Sequence, residues 1–265
     1  MSLTDSHVHL QDECFRDDLE EVIQRALSSG VRRMVCCGTN PEDWQRVSLI
    51  CQDHPCLLPA YGVHPWFAGR LSEGWKDKLH ALADRSAAIG EIGLDKLLCN
   101  ENIEKQIDVF NTQLDICLEA GKPAIVHCLK AFGALMQTLS SRKENPRLLM
   151  HSYSGSAEFM RELGKFDVYF SFNGKMLQDN CKSMHRAIRN APAGKILLET
   201  DSPYLTPPEE YLLQAAAEKN IKNNMGYLRN EPANIPLICR GAARLRGVSP
   251  EELERQTEEN FQILF

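Results

Sequence analysis

Short apolar runs of strand length alternate along this chain with stretches whose apolar positions fall three and four residues apart. Leu3–His9 reads as a first strand. Leu19, Val22, Ile23, Ala26 and Leu27 then keep helical spacing, and Gly30 supplies a C-terminal stop. Val31–Cys37 is a second strand, followed by a helix after Pro41. Cys56–Val63 is a third strand, Leu71–Ala83 a helix and Ala87–Ile92 a fourth strand. The rhythm continues with a helix at Ile103–Ala120 closed by Gly121, a strand at Pro123–Cys128 and a helix at Phe132–Leu139. A strand at Arg147–Met150, a helix at Ala157–Leu163 and a strand at Val168–Phe172 follow. Part of a helix at Met184–Asn190 and a strand at Lys195–Glu199 complete eight strands. Helices around Ile235–Leu245 and Pro250–Leu264 end the chain, and the longest irregular stretch runs from Ser202 to Pro236.

Strands that alternate with helices predict a parallel sheet with crossover helices. At 265 residues the leading expectation is a (β/α)8 barrel, regular or distorted, with an extra C-terminal helix and one domain spanning 1–265. A doubly wound open sheet is the alternative. The first strand lacks the glycine-rich turn that a dinucleotide-binding version of that sheet would need.

The barrel reading gives meaning to six scattered residues. On a strand, side chains at i and i+2 share a face, so His7 and His9 project together. Glu91, His127, His151 and Asp201 each lie at or just past the end of a strand-like run. The C-terminal ends of barrel strands meet on one face, where active sites are built. Six imidazole and carboxylate ligands exceed what one tetrahedral ion needs. Two divalent cations about 3.5–4 Å apart fit better, with Glu91 bridging them through its two oxygens. His7, His9, Glu91 and Asp201 would hold one; Glu91, His127 and His151 would hold the other. A mixed shell of this kind suits Mg2+, Mn2+ or Zn2+. The chemistry expected of it is attack by a metal-activated water, with Asp201 as general base and Glu91 as the bridging group.

Composition narrows the class. Hydrophobic residues make up 43% and charged residues 25%, which is ordinary for a globular protein with a large core. A net charge of -6 argues against binding long duplex nucleic acid over the whole surface, and leaves a small metal-neutralised phosphate site open. The ten cysteines, Cys99 among them, form no C-x-x-C pair and read as reduced residues of a cytoplasmic protein. Charged residues begin at Asp5, so no secretory leader is visible, and no apolar run nears the roughly 20 residues that span a bilayer. No membrane partner is expected, and the chain is expected to be a monomer or a weak oligomer.

Several short motifs occur in a telling order. They are Asp5-Ser6-His7-Val8-His9, Gly62-Val63-His64-Pro65, Gly90-Glu91-Ile92-Gly93-Leu94-Asp95, His127-Cys128, and His151 ahead of Tyr153-Ser154-Gly155. Glu199-Thr200-Asp201-Ser202-Pro203-Tyr204-Leu205, Arg229-Asn230-Glu231-Pro232 and Thr257-Glu258-Glu259-Asn260-Phe261 follow. Together they resemble the TatD family of metal-dependent deoxyribonucleases, within the amidohydrolase-like barrels, over essentially the whole chain. The resemblance implies cleavage of DNA phosphodiester bonds, often as a 3′-5′ exonuclease on single strands. It implies metal ligation by His7, His9, Glu91, His127, His151 and Asp201, in agreement with the strand-end argument. It also places His64 near the substrate phosphate, and leaves Arg229 and Lys130 as candidate phosphate contacts.

The chain departs from the family at three places. Trp66 stands where a second histidine is common, Leu129-Lys130 stand where Arg-Asp is common, and the basic run before Asn230 is reduced to Arg229. Trp66 has two readings: stacking on a base, or packing at the barrel mouth. The alternative to a nuclease on DNA ends is a hydrolase of a small ester, amide, lactone or phosphoester with the same metals. A metal-binding protein without catalysis is the third reading.

Overall fold

A computed structural model describes residues 2–97, 102–212 and 221–265. Eight strands form one sheet: β1 Leu3–Val8, β2 Val31–Cys37, β3 Leu57–Tyr61, β4 Ala88–Asp95, β5 Ala124–Leu129, β6 Leu148–Met150, β7 Val168–Phe172 and β8 Ile196–Leu198. Each pairs in parallel with its sequence neighbour, in the order β1 to β8. The seam between β8 and β1 is drawn together by Ser6 Oγ donating to the Leu198 carbonyl (3.0 Å), by the Asp201 N–H on the His7 carbonyl (3.0 Å) and by the His9 N–H on the Ser202 carbonyl (2.8 Å). Asp5 completes it by accepting from the Thr200 N–H at 3.0 Å. The barrel is nearly closed, and the open-sheet alternative is set aside.

Nine α-helices surround the strands among the described residues: α1 Leu19–Ser28, α2 Trp44–Asp53, α3 Trp75–Ala83, α4 Ile103–Ala120, α5 Phe132–Ser141, α6 Ala157–Leu163, α7 Lys182–Asn190, α8 Ile235–Arg246 and α9 Pro250–Leu264. Two ends differ from the sequence expectation for a local reason. Gly74 takes a left-handed φ of 81° and starts α3 at Trp75, so Leu71 lies before the helix. Strand β4 does not stop at Ile92, because Gly93 (φ 140°) lets it run on to Asp95 beside β5. A side chain at Gly93 would overlap the His127 carbonyl oxygen.

The apolar core has two parts. The larger lies between the strands and the helices. The smaller fills the barrel itself, with Val35, Cys37, Ala60, Ala88, Ile125, Leu149, Tyr169 and Leu197. Leu149 pairs in register with Ile125 on one side and Tyr169 on the other, so these residues form a layer across the interior. Phe261 and Leu264 of α9 join this cluster and plug the barrel. Helix α9 is well defined at its start: Pro250 occupies the first turn, and Ser249 Oγ accepts from the Glu252 N–H at 3.1 Å. Asn260 ties it to the chain before β8 by donating to the Ala193 and Ile196 carbonyls, both at 2.8 Å.

The described cysteines are all free thiols, and Cys99 lies outside the described residues. Within the irregular stretch 202–236, a short 3-10 turn covers Glu209–Tyr211 and an isolated bridge joins Lys222 to Leu228. Among the described residues, no helix is long and apolar enough to cross a membrane.

Candidate functional site

Strand β1 sets the pattern of the site. His7 is fully buried within it and His9 lies one residue past its end, with their Nε2 atoms 3.1 Å apart. The β1–β2 register shifts between Asp5 and Val8, and the β4–β5 register shifts between Ile89 and Ile92. Irregular registers of this kind re-aim side chains beside functional sites. In β4 the shift brackets Glu91, which lies inside the strand rather than at its end. His127 is inside β5, His151 directly follows β6, and Asp201 follows β8 in the left-handed region at φ 57°.

Glu91 is the hub. Its Oε2 lies 3.3 Å from His7 Nε2 and 3.4 Å from His9 Nε2. Its Oε1 lies 3.0 Å from His127 Nδ1, 2.8 Å from His151 Nε2 and 3.4 Å from His64 Nε2. Asp201 Oδ1 stands 3.7 Å from His7 Nε2 and 3.5 Å from His9 Nε2. All of these groups are buried except His127, which is partly exposed.

A second set of groups orients the imidazoles. His9 Nδ1–H donates to the Cys37 carbonyl at 2.8 Å, which leaves the Nε2 lone pair of neutral His9 turned into the cluster. His151 Nδ1 lies 3.5 Å from Glu199 Oε1, and Glu199 is held by Ser171 Oγ and by the Ser152 N–H at 2.6 Å. His127 Nε2 lies 3.4 Å from Asp95 Oδ2. His64 is oriented the opposite way. Its Nδ1 accepts from the Trp66 N–H at 3.2 Å, so the proton of the neutral ring resides on Nε2. Burial lowers the pKa of His64 to about 4, which keeps it neutral. A ring with Nε2–H donates and cannot ligate through that atom.

The electrostatics are those of a cation site. Burial alone would raise the Glu91 pKa, yet the facing charge of His151 and the hydrogen bonds of His127 and His151 hold it well below the ordinary value. Burial works against protonating His9 and His151, and the carboxylates facing them raise both pKa values well above the ordinary one. His7 goes the other way, lowered by burial and by His151. Buried imidazole nitrogens that face one another across a shared carboxylate fit a divalent cation. Three overlapping clusters have ligand atoms within 4.8 Å of one another: His7, His9 and Asp201; His7, Glu91 and His151; His64, Glu91 and His127. The tautomer of His64 makes it the member least suited to bind metal.

Comparison with known proteins agrees with this chemistry. A family model for TatD related DNases matches residues 4–265. The chain belongs to the TatD family. It is 31% identical to an uncharacterized metal-dependent hydrolase, YabD, of Bacillus subtilis, over 99% of this chain and 98% of that protein. It is also 31% identical to a 3′-5′ ssDNA/RNA exonuclease TatD of Dickeya dadantii, over 98% of this chain and 97% of the relative. The crystal structure of a TatD homologue from Escherichia coli, YJJV, superposes with a TM-score of 0.86 at 23% identity, covering 99% of this chain and 97% of the other, and shares the fold. As a TatD-family protein the chain is a metal-dependent hydrolase.

The TatD barrel brings together all six residues expected as ligands, with His64 beside them. It separates Arg229 from that group. The Arg229 side chain is buried, and its guanidinium is bonded to both oxygens of Asp18 (2.8 and 2.6 Å), to Glu231 (2.9 Å) and to the Cys14 carbonyl (2.6 Å). It also lies 4.7 Å from the centre of the Phe15 ring. Its buried Nε has no partner among the described residues, but four hydrogen bonds from the other two nitrogens hold the guanidinium inside the protein, and the expected phosphate contact is corrected to a structural ion pair. Trp66 is 43% exposed, so packing in the core is not its role. Sequence reasoning assigned no role to Asp95 or Glu199. The available signal was a carboxylate lying two positions from Asp201, and another closing the Gly90–Asp95 run.

Proposed function

We propose that residues 1–265 act as one hydrolase domain that holds two divalent cations and removes nucleotides from the 3′ end of single-stranded DNA. The observation that carries the two-cation reading is the division of Glu91: Oε2 faces His7 and His9, whereas Oε1 faces His127 and His151. His7, His9, Asp201 and Glu91 Oε2 would hold one cation; His127, His151 and Glu91 Oε1 would hold the other. Bound there, two Mg2+, Mn2+ or Zn2+ ions lower the pKa of a water and neutralise charge on phosphate oxygens.

The remaining steps belong to the protein. Asp201, kept ionised by its neighbouring histidines despite burial, accepts the proton of the attacking water. The new bond forms between that water's oxygen and phosphorus, and the bond from phosphorus to the preceding 3′ oxygen breaks, with a proton returned to that oxygen. His64, neutral with Nε2–H, donates to a phosphate oxygen as negative charge builds there. The relatives' description as 3′-5′ ssDNA/RNA exonucleases supports the substrate class and polarity.

One observation favours a second reading, in which the same centre cleaves a small ester, amide, lactone or phosphoester. The net charge is -6, and Arg229 is spent internally. A 5′-end-labelled single strand decides between them, incubated with chelated protein to which Mg2+, Mn2+ or Zn2+ is returned. Stepwise shortening that requires metal and falls at least about a hundredfold in Asp201→Asn supports the exonuclease. Intact strand under every metal, with small esters or phosphoesters hydrolysed, establishes the second reading.

A further inference from the structure

Beside the histidine cluster stands an arrangement that reaches from it to the solvent. Of the three tryptophans, Trp44 and Trp75 are buried and Trp66 is open to solvent. Trp66 belongs to the short turn Pro65–Phe67 that follows His64, and its ring meets the His64 ring edge to face at 4.8 Å between centres. Its indole Nε1–H donates to Asp95 Oδ2 at 2.8 Å. Asp95 is fully buried, and its Oδ1 accepts from the Leu97 N–H at 2.7 Å. Leu97 is 58% exposed. One buried carboxylate therefore fixes an exposed indole with Oδ2, the oxygen that also faces His127 Nε2 at 3.4 Å, and the backbone of Leu97 with Oδ1. Asp95 is itself fixed, since its N–H and carbonyl bond the Gln106 side chain at 2.8 and 3.0 Å.

A ring held by a hydrogen bond loses little further freedom when a ligand covers it. An exposed aromatic ring held in one orientation next to a site is a ready contact surface. The neighbour decides what is contacted. A phosphate bonded to His64 Nε2 brings its own nucleoside within reach of a ring 4.8 Å from that imidazole. Aromatic platforms bind unpaired bases without needing positive charge, which suits a chain of net charge -6.

We infer that Asp95 holds Trp66 as an aromatic platform that stacks an unpaired nucleobase at the end of the strand, so that this chain selects substrate by base stacking rather than by charge. The platform rests on the nuclease reading for its substrate. Trp66 determines specificity, and Asp95 is a positioning residue.

The test uses the metal-loaded protein and two oligonucleotides that differ only at the 3′-terminal residue, one with a normal base and one with an abasic tetrahydrofuran. The wild-type chain favours the base-bearing end by about tenfold or more in kcat/KM, mostly through KM. Trp66→Ala brings that ratio to about one. Trp66→Phe lies between, because the ring remains while its tether to Asp95 is gone. A ratio in Trp66→Ala equal to that of the wild type overturns the platform and leaves the nuclease standing. A second measurement is independent of turnover: deoxyadenosine monophosphate quenches the tryptophan fluorescence of the wild type, and the effect disappears in Trp66→Phe. Quenching without hydrolysis of either oligonucleotide upholds the platform and removes the nuclease reading. Equal quenching in wild type and Trp66→Phe overturns the platform.

Discussion

Replacing Arg229 by alanine separates a structural ion pair from a substrate contact. The substitution deletes four charge-assisted donors to Asp18, Glu231 and the Cys14 carbonyl, together with the guanidinium packed on Phe15. What remains is Asp18 and Glu231 with Arg25 as a partial substitute, 3.5 Å from Asp18 and 2.8 Å from Glu231. Breaking a buried pair by removing one member costs about 3–5 kcal/mol, because the other charge stays buried without its partner. For a chain of this size that corresponds to a drop in Tm of roughly 6–20 °C. Urea unfolding followed by circular dichroism measures the loss directly, as a lower midpoint at constant slope. Arg229→Met, which keeps apolar contact with Phe15, should recover part of it. Below the transition, KM for a single-stranded substrate should match the wild type. An unchanged midpoint accompanied by a raised KM would refute the reasoning and return Arg229 to the substrate.

Three further outcomes are expected. Glu199→Gln removes the charge facing His151 Nδ1 and should weaken metal binding about 10–100-fold, read by titration of the chelated protein; unaltered affinity would show that Glu199 serves only Ser171 and Ser152. Phe261→Ala opens the barrel plug and should cost about 3–5 kcal/mol in urea unfolding, with metal content unchanged; a loss under about 1 kcal/mol would mean that Phe261 is not part of a close-packed interior. Gly93→Ala pushes a methyl group into the His127 carbonyl and should cost about 1–3 kcal/mol while lowering metal stoichiometry; wild-type stability would show that β4 and β5 can separate at that point.

The meeting of the six residues was legible because it follows from strand geometry. Alternation puts His7 and His9 on one face, and parallel strands bring Glu91, His127, His151 and Asp201 to one end without any knowledge of side-chain contacts. What could not be read depends on such contacts. Arg229 looks like a surface cation in sequence, and its partner Asp18 lies 211 residues away. Gly93 looks like a stop, and only the approach of β5 reveals that it allows the strand to continue to Asp95. The contrast between His9 and His64 lies in what each Nδ1 meets, a carbonyl in one case and an N–H in the other, and the histidine codon carries no trace of it.

The plug formed by α9 also bears on the order in which the molecule can be assembled. Chains are made from the N-terminus, and early segments begin to fold while later ones are still being added. Strands β1 to β8 are all complete before Phe261 and Leu264 exist, so until those residues are added Val35, Leu149 and Leu197 lack the two side chains that finish their cluster. A nascent chain at that stage already carries His7, His9, Glu91, His127, His151 and Asp201 while its apolar interior is still open. Native burial of the barrel interior therefore waits on the arrival of α9 rather than on completion of the sheet.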